Sequence, residues 1–139
     1  MMVLVDTSVW SLALRRRPEH LSGSQQNLTQ ILAELIREGR AQLVGPIRQE
    51  LLSGIREQAQ FTSIRDYLRA FPEPSLEAAD YEEAASMNNQ CRVRGIVGSA
   101  IDFLICAVAH RRGWHIFTTD RDFQHYATVL PLRLFSTSN

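Results

Sequence analysis

Residues 99–118 read Ser-Ala-Ile-Asp-Phe-Leu-Ile-Cys-Ala-Val-Ala-His-Arg-Arg-Gly-Trp-His-Ile-Phe-Thr. From Ser99 to Arg112 the segment is almost wholly apolar, which predicts a central helix buried on all sides. Gly113 ends it, and His115 to Thr118 then reads as a strand. Downstream lie a short helix at Asp122 to Tyr126 and a last strand at Leu132 to Phe135. Upstream, Met2 to Val5 is a short continuous apolar run, as expected of a strand buried on both faces. A helix over Ser8 to Arg16 follows it. Leu28, Ile31, Leu32, Leu35 and Ile36 then keep helical spacing, with Ser22 or Ser24 near the start and Gly39 at the end. Ala41 to Val44 reads as a second strand. Gly45-Pro46 opens a helix striped by Ile47, Leu51 and Ile55. Phe61, Ile64, Leu68 and Phe71 mark another, closed by Pro72 and Pro74. A short strand is expected near Ala70 to Glu73, then a helix from Leu76 to Cys91. Alternating β and α elements of this length indicate an α/β fold, a parallel sheet with helices on both faces.

Composition narrows the chemistry. The chain has 139 residues, 45% hydrophobic and 22% charged, as expected of one domain with one core. Basic and acidic residues both number 15, so the net charge is zero and nothing marks a polybasic nucleic-acid or membrane-surface binder. All 15 basic residues are arginine. Without lysine there is no P-loop lysine and no Schiff base. Phosphoryl-transfer sites that pair strand-end aspartates with a lysine are disfavoured as well. The remaining chemistry runs on carboxylates, hydroxyls, arginine or a metal. Cys91 and Cys106 form no Cys-x-x-Cys pair and read as free thiols of a reducing cytoplasm. The N-terminus turns polar at Asp6, too soon for a signal peptide. No apolar stretch approaches the roughly 18 residues of a membrane span. The expectation is a soluble cytoplasmic domain.

Four of the six aspartates stand in telling places. Asp6 directly follows the first strand, Asp102 lies at the start of the buried helix, and Asp120 and Asp122 follow the strand at Ile116. In an open α/β sheet the crevice beyond the carboxyl ends of the strands is where ligands bind. Each acid also has a structural explanation. Asp6 and Asp120 suit helix N-caps, and Ser99-Ala-Ile-Asp102 fits a capping box. Two observations favour a site. Asp102 is flanked by Ile101, Phe103, Leu104 and Ile105, and a buried carboxylate needs a compensating cation or helix terminus. Glu50 shares the apolar stripe of its helix, which no cap explains. Acids converging on one strand edge suit a hard cation with oxygen ligands, Mg²⁺ or Mn²⁺.

Four segments carry a resemblance: Val-Leu-Val-Asp6-Thr-Ser-Val, Glu50-Leu-Leu-Ser-Gly, Ile101-Asp102-Phe-Leu-Ile-Cys-Ala-Val-Ala and Ile116-Phe-Thr-Thr-Asp120-Arg-Asp122-Phe. In this order and spacing they closely resemble the PIN domain, and within it the VapC-type toxins of bacterial and archaeal toxin–antitoxin systems. The resemblance covers essentially the whole chain. It implies a PIN-like three-layer α/β/α fold over residues 1–139, with a central, mostly parallel sheet of four to five strands. It also implies a metal-dependent endoribonuclease. By position, Asp6, Glu50, Asp102 and Asp120 match the family's acidic quartet around Mg²⁺ or Mn²⁺. Thr118 matches its supporting hydroxyl, and Asp122 a more variable fifth acid. An RNA substrate, a cognate VapB-like antitoxin and a homodimer are implied too, and no membrane.

Other residues carry weaker signals. Arg15-Arg16-Arg17 and Arg111-Arg112 read as solvated helix ends or as RNA phosphate contacts. Trp10 and Trp114 suit packing better than base stacking, and Cys106 reads as a core residue. No role is assigned to His20, His110, His115 or His125. Three alternatives remain open. A Toprim-like nuclease also pairs an Asp-x-Asp with a separate Glu, but that Glu ends strand one, where this chain has Asp6. A PIN nuclease of RNA maturation would share the site. A non-catalytic RNA- or protein-binding PIN-like module would have lost its metal, which an intact acidic set argues against.

Overall fold

The computed structural model describes residues 1–137. Its centre is Val3–Val5 (β1), three apolar residues with no exposed surface, the condition of a strand covered on both faces. β1 pairs in parallel with Ala41–Gln42 (β2) on one side and His115–Phe117 (β3) on the other. Val3 stands opposite both Ala41 and His115. Parallel neighbours require crossovers, and helices supply them. Thr7–Leu14 (α1) and Gly23–Arg37 (α2) lie between β1 and β2. Gly45–Leu52 (α3), Gln58–Leu68 (α4), Ala78–Val93 (α5) and Ala100–Arg112 (α6) lie between β2 and β3, and Asp122–Ala127 (α7) follows β3. α1 packs on α2 and α3, α3 on α4, and α5 runs along α6.

Local chemistry sets the helix ends. At α2 the Ser22 hydroxyl accepts the Gln25 amide at 3.2 Å, and the Gln25 side chain accepts the Ser22 amide at 3.0 Å. This reciprocal box satisfies two otherwise orphaned donors. Gly39 and Gly113 close α2 and α6 with φ of 70° and 71°, a conformation that favours glycine. α6 is the apolar helix expected. Every residue from Phe103 to Ala109 is buried, Cys106 among them. Trp10 is fully buried in α1.

Two expected strands differ from the observed chain. Among the described residues the sheet has three strands where four to five are expected. The segment at Leu132 to Phe135 makes a single parallel bridge, Leu134 with Ile116. It is held by Ile116 N–H to Arg133 O at 2.8 Å and Phe135 N–H to Ile116 O at 2.7 Å. β3 is only three residues long, so its outer edge offers little to pair with. No strand forms at Ala70 to Glu73. Pro72 within it and Pro74 directly after it lack amide donors, Ala70 and Phe71 close turns on the end of α4, and Phe71 sets its ring against Trp10 at 5.2 Å.

α5 and α6 share a buried charge. Asp80 on α5 has no exposed surface. Its carboxylate accepts from Arg111 at 2.6 Å, from Arg112 at 2.8 and 3.1 Å, and from the Glu77 amide at 2.8 Å. Arg112 also lies over the Trp114 ring, 5.6 Å from its centroid. The Arg111-Arg112 pair is therefore a structural anchor, rather than a free helix end. Among the described residues, no helix is long and apolar enough to cross a membrane.

The arginine hydrogen bonds hold Asp80 well below the usual carboxylate range, outweighing its burial. A depressed folded pKa means stability that is present above the ordinary value of 3.8 and lost as the pH falls below it. Asp80→Ala should cost about 3 kcal/mol at neutral pH, the scale of breaking a buried pair. In urea titrations this gap from the parent chain should narrow steadily from about pH 4 toward about pH 2. A gap independent of pH would assign the loss to packing alone.

Candidate active site

Parallel strands end at one edge, and helices that precede or follow them have their near ends there. Asp6 follows β1 directly, and its amide donates to Phe117 O at 2.9 Å, carrying the β1–β3 ladder one step past the strand. Asp6 occupies the N-cap position of α1, yet its side chain makes no capping bond. Its Oδ2 instead accepts from Ser8 Oγ at 2.9 Å and Thr118 Oγ1 at 2.8 Å. Thr118 in turn accepts the Asp120 amide at 3.0 Å, and Ser8 accepts the Thr119 amide at 3.0 Å. Two hydroxyls thus tie the end of β1 to the turn after β3. Asp6 is 7% exposed, and these donors compensate a carboxylate at that depth.

Asp102 stands in the first turn of α6. The cap there is Ser99, whose hydroxyl accepts the Asp102 amide at 3.0 Å. The Asp102 carboxylate does not complete the box. It accepts at Oδ2 from the Tyr126 hydroxyl at 2.6 Å. Asp120 partly fulfils its capping alternative, since its Oδ1 accepts the Asp122 amide at 2.9 Å at the start of α7.

The structure brings Asp102, Asp120 and Asp122 together, with one oxygen of each within 4.8 Å of the others. Asp6 stands beside this triad, linked to it through Thr118. Glu50, half-buried on α3, is held further along the same edge, accepting from Thr7 Oγ1 at 2.7 Å. Among the described residues, no ion pair engages any of these five acids. Burial pushes the Asp102 carboxyl up, the Tyr126 hydrogen bond opposes this, and the neighbouring Asp120 and Asp6 charges push it further up. The donor set fits a small hard cation. It is all oxygen, the ligand chemistry that such ions take.

Three participants escaped the sequence. Ser8 sits in Asp-Thr-Ser but gave no sign that its hydroxyl would turn back onto Asp6. Thr7 meets Glu50 across 43 residues. Tyr126 reads only as the end of a short helix.

A protein-family model for the PIN domain matches residues 3–129. The chain belongs to the PIN domain family. Ribonuclease VapC11 of Mycobacterium tuberculosis is 30% identical over 137 residues, spanning 97% of this chain and 98% of that protein. VapC ribonuclease Mb1587 of Mycobacterium bovis matches to the same extent. Within the PIN family the chain therefore groups with the VapC proteins. Solved structures agree on the fold. VapBC2 from Rickettsia felis, bound to a DNA fragment from its promoter, superposes with a TM-score of 0.77 at 15% identity, over 99% of this chain and 100% of that one. FitAcB from Neisseria gonorrhoeae gives 0.73 at 19% identity, over 97% of each chain.

Crowded carboxylates without a cation repel one another. Asp102→Asn removes one charge and keeps an acceptor for Tyr126. In metal-free buffer its melting temperature should equal or exceed that of the parent chain. A clear loss would mean that the charge serves the α6 terminus.

Proposed function

We propose that this PIN domain is a Mg²⁺- or Mn²⁺-dependent endoribonuclease, acting as the toxin of a toxin–antitoxin pair. The observation that carries this reading is the unneutralised triad of Asp102, Asp120 and Asp122 at the strand edge, beside an anchored Asp6, in a chain whose relatives are named ribonucleases. Asp102, Asp120 and Asp122 would hold the cation, and Asp6 and Glu50 line the same edge. A bound cation of this kind lowers the pKa of water and offsets the charge that develops on phosphate. Thr118 and Ser8 keep Asp6 in one orientation as RNA arrives. The acids repel phosphate when bare, so substrate binding depends on their neutralisation. The three exposed arginines at 15–17 are suited to backbone phosphates outside the acidic edge.

The test is incubation with transfer RNA, ribosomal RNA and messages, in Mn²⁺ and in EDTA. Cleavage of at least one RNA in Mn²⁺, abolished by EDTA and by Asp120→Asn, is expected. Cleavage that persists in EDTA would contradict the metal, and no cleavage of any RNA would contradict the nuclease.

The partner we propose is a small antitoxin with an apolar segment and a basic residue. Solved structures of this fold include VapBC2 and FitAB, each bound to a DNA fragment. α1, α2 and α4 of this chain border an open, largely apolar groove of about 340 Å³ lined by Trp10, Leu14, Leu32, Ala33, Ile36 and Tyr67. Anchors seated there supply most of the affinity, because an exposed ion pair adds only about 0–1 kcal/mol. The basic residue reaches the acids and competes with the cation, arginine being able to pair with two carboxylates at once. Ala33 is exposed, so Ala33→Arg should fold normally. It should weaken antitoxin binding by at least about 10-fold, roughly the 1.4 kcal/mol of one lost anchor, and leave RNA cleavage intact. Unchanged binding in a titration would place the antitoxin elsewhere.

A further inference from the structure

Tyr126 is 1% exposed and lies 24 residues from the acid it touches. Its hydroxyl donates to Asp102 Oδ2 at 2.6 Å. The ring is held by Phe103, with centroids 5.0 Å apart, and edge-on by Phe123 at 5.3 Å. Gly98 closes the hydroxyl end. A Cβ on Gly98 would stand 2.7 Å from Tyr126 Cζ and 2.8 Å from Cε1, and closer still to the hydroxyl oxygen. Gly98 has no positive φ that would demand glycine. The demand is for space, made by the tyrosine's polar tip.

A buried tyrosine needs some acceptor for its O–H, and core packing alone would be met by any. Here the acceptor is a member of the carboxylate triad, and a backbone without a Cβ makes room for the donor. With one oxygen engaged, the Asp102 carboxylate turns less freely about its Cβ–Cγ bond. Outer partners of this kind orient metal-binding carboxylates. We propose that Tyr126 is a positioning residue, whose hydroxyl fixes Asp102 in its cation-binding orientation, and that Gly98 is the space which admits it. This rests on the metal-dependent reading above.

Tyr126→Phe keeps the ring and deletes only the donor. Gly98→Ala keeps donor and acid but pushes the ring away. Mn²⁺ affinity is measured by calorimetry without RNA, and the melting temperature of each variant in EDTA. Both variants should bind Mn²⁺ about 10-fold or more weakly, with Tyr126→Phe melting within a few degrees of the parent chain. If the parent chain itself binds no Mn²⁺, the metal-dependent reading fails and the positioning role with it. If the parent binds and Tyr126→Phe binds within about twofold of it, the positioning role alone is overturned. If Tyr126→Phe melts far lower, Gly98→Ala decides. Weakened Mn²⁺ binding in a folded Gly98→Ala supports the role, and parent-like binding or failure of both variants to fold assigns Tyr126 to the core.

Discussion

Parallel pairing of three short strands forces every strand to end at the same edge, and that constraint positions the chemistry. Asp6 comes one residue after β1, and Thr118 one residue after β3. Because α6 precedes β3 and runs back along the sheet, its first turn returns Asp102 to that edge. The hydrogen bond from Thr118 to Asp6 at 2.8 Å is the closure. It joins residues 112 positions apart at the point where the β1–β3 ladder ends. The Asp120 amide leans on the same hydroxyl, so the loop that carries Asp120 and Asp122 is set by the strand pairing itself.

The distribution of arginine separates structural acids from the others. Asp80 is fully buried and receives two guanidinium groups, the compensation that burial of an ion demands. Asp102, Asp120 and Asp122 receive none among the described residues, although the chain carries 15 arginines. Neutral hydroxyls and amides stand where cations would be expected. Such an arrangement leaves a negative field at the edge, attractive to a metal ion or to an incoming basic side chain. The same field accounts for the raised Asp102 carboxyl, whose first cause is burial and whose neighbours Asp120 and Asp6 add to it.

Much of this was legible in the sequence because it depends on local order. Continuous apolar runs mark buried strands, and an acid directly after such a run must lie at the sheet edge. The apolar sweep through Phe103 to Ala109 and the glycine stops at Gly39 and Gly113 are local signals too. The convergence of Asp102 with Asp120 and Asp122 is not local. Neither is the turn of Asp102 away from its own capping box toward Tyr126. Gly98 carries no local signal of its role, since in the fold it answers a side chain 28 positions on. The last expected strand, Leu132 to Phe135, reads as one by its apolar Leu132, Leu134 and Phe135, but strand formation needs a partner edge, and a three-residue β3 offers only one bridge.

The central claim is that the acids at this edge hold a divalent cation. Crystals of the chain soaked in Mn²⁺, with anomalous diffraction collected to locate the ion, test it most directly. A single strong peak within about 2.2 Å of oxygens from Asp102, Asp120 and Asp122 is expected. An edge with no anomalous peak, or Mn²⁺ bound only at acids elsewhere on the surface, would contradict it.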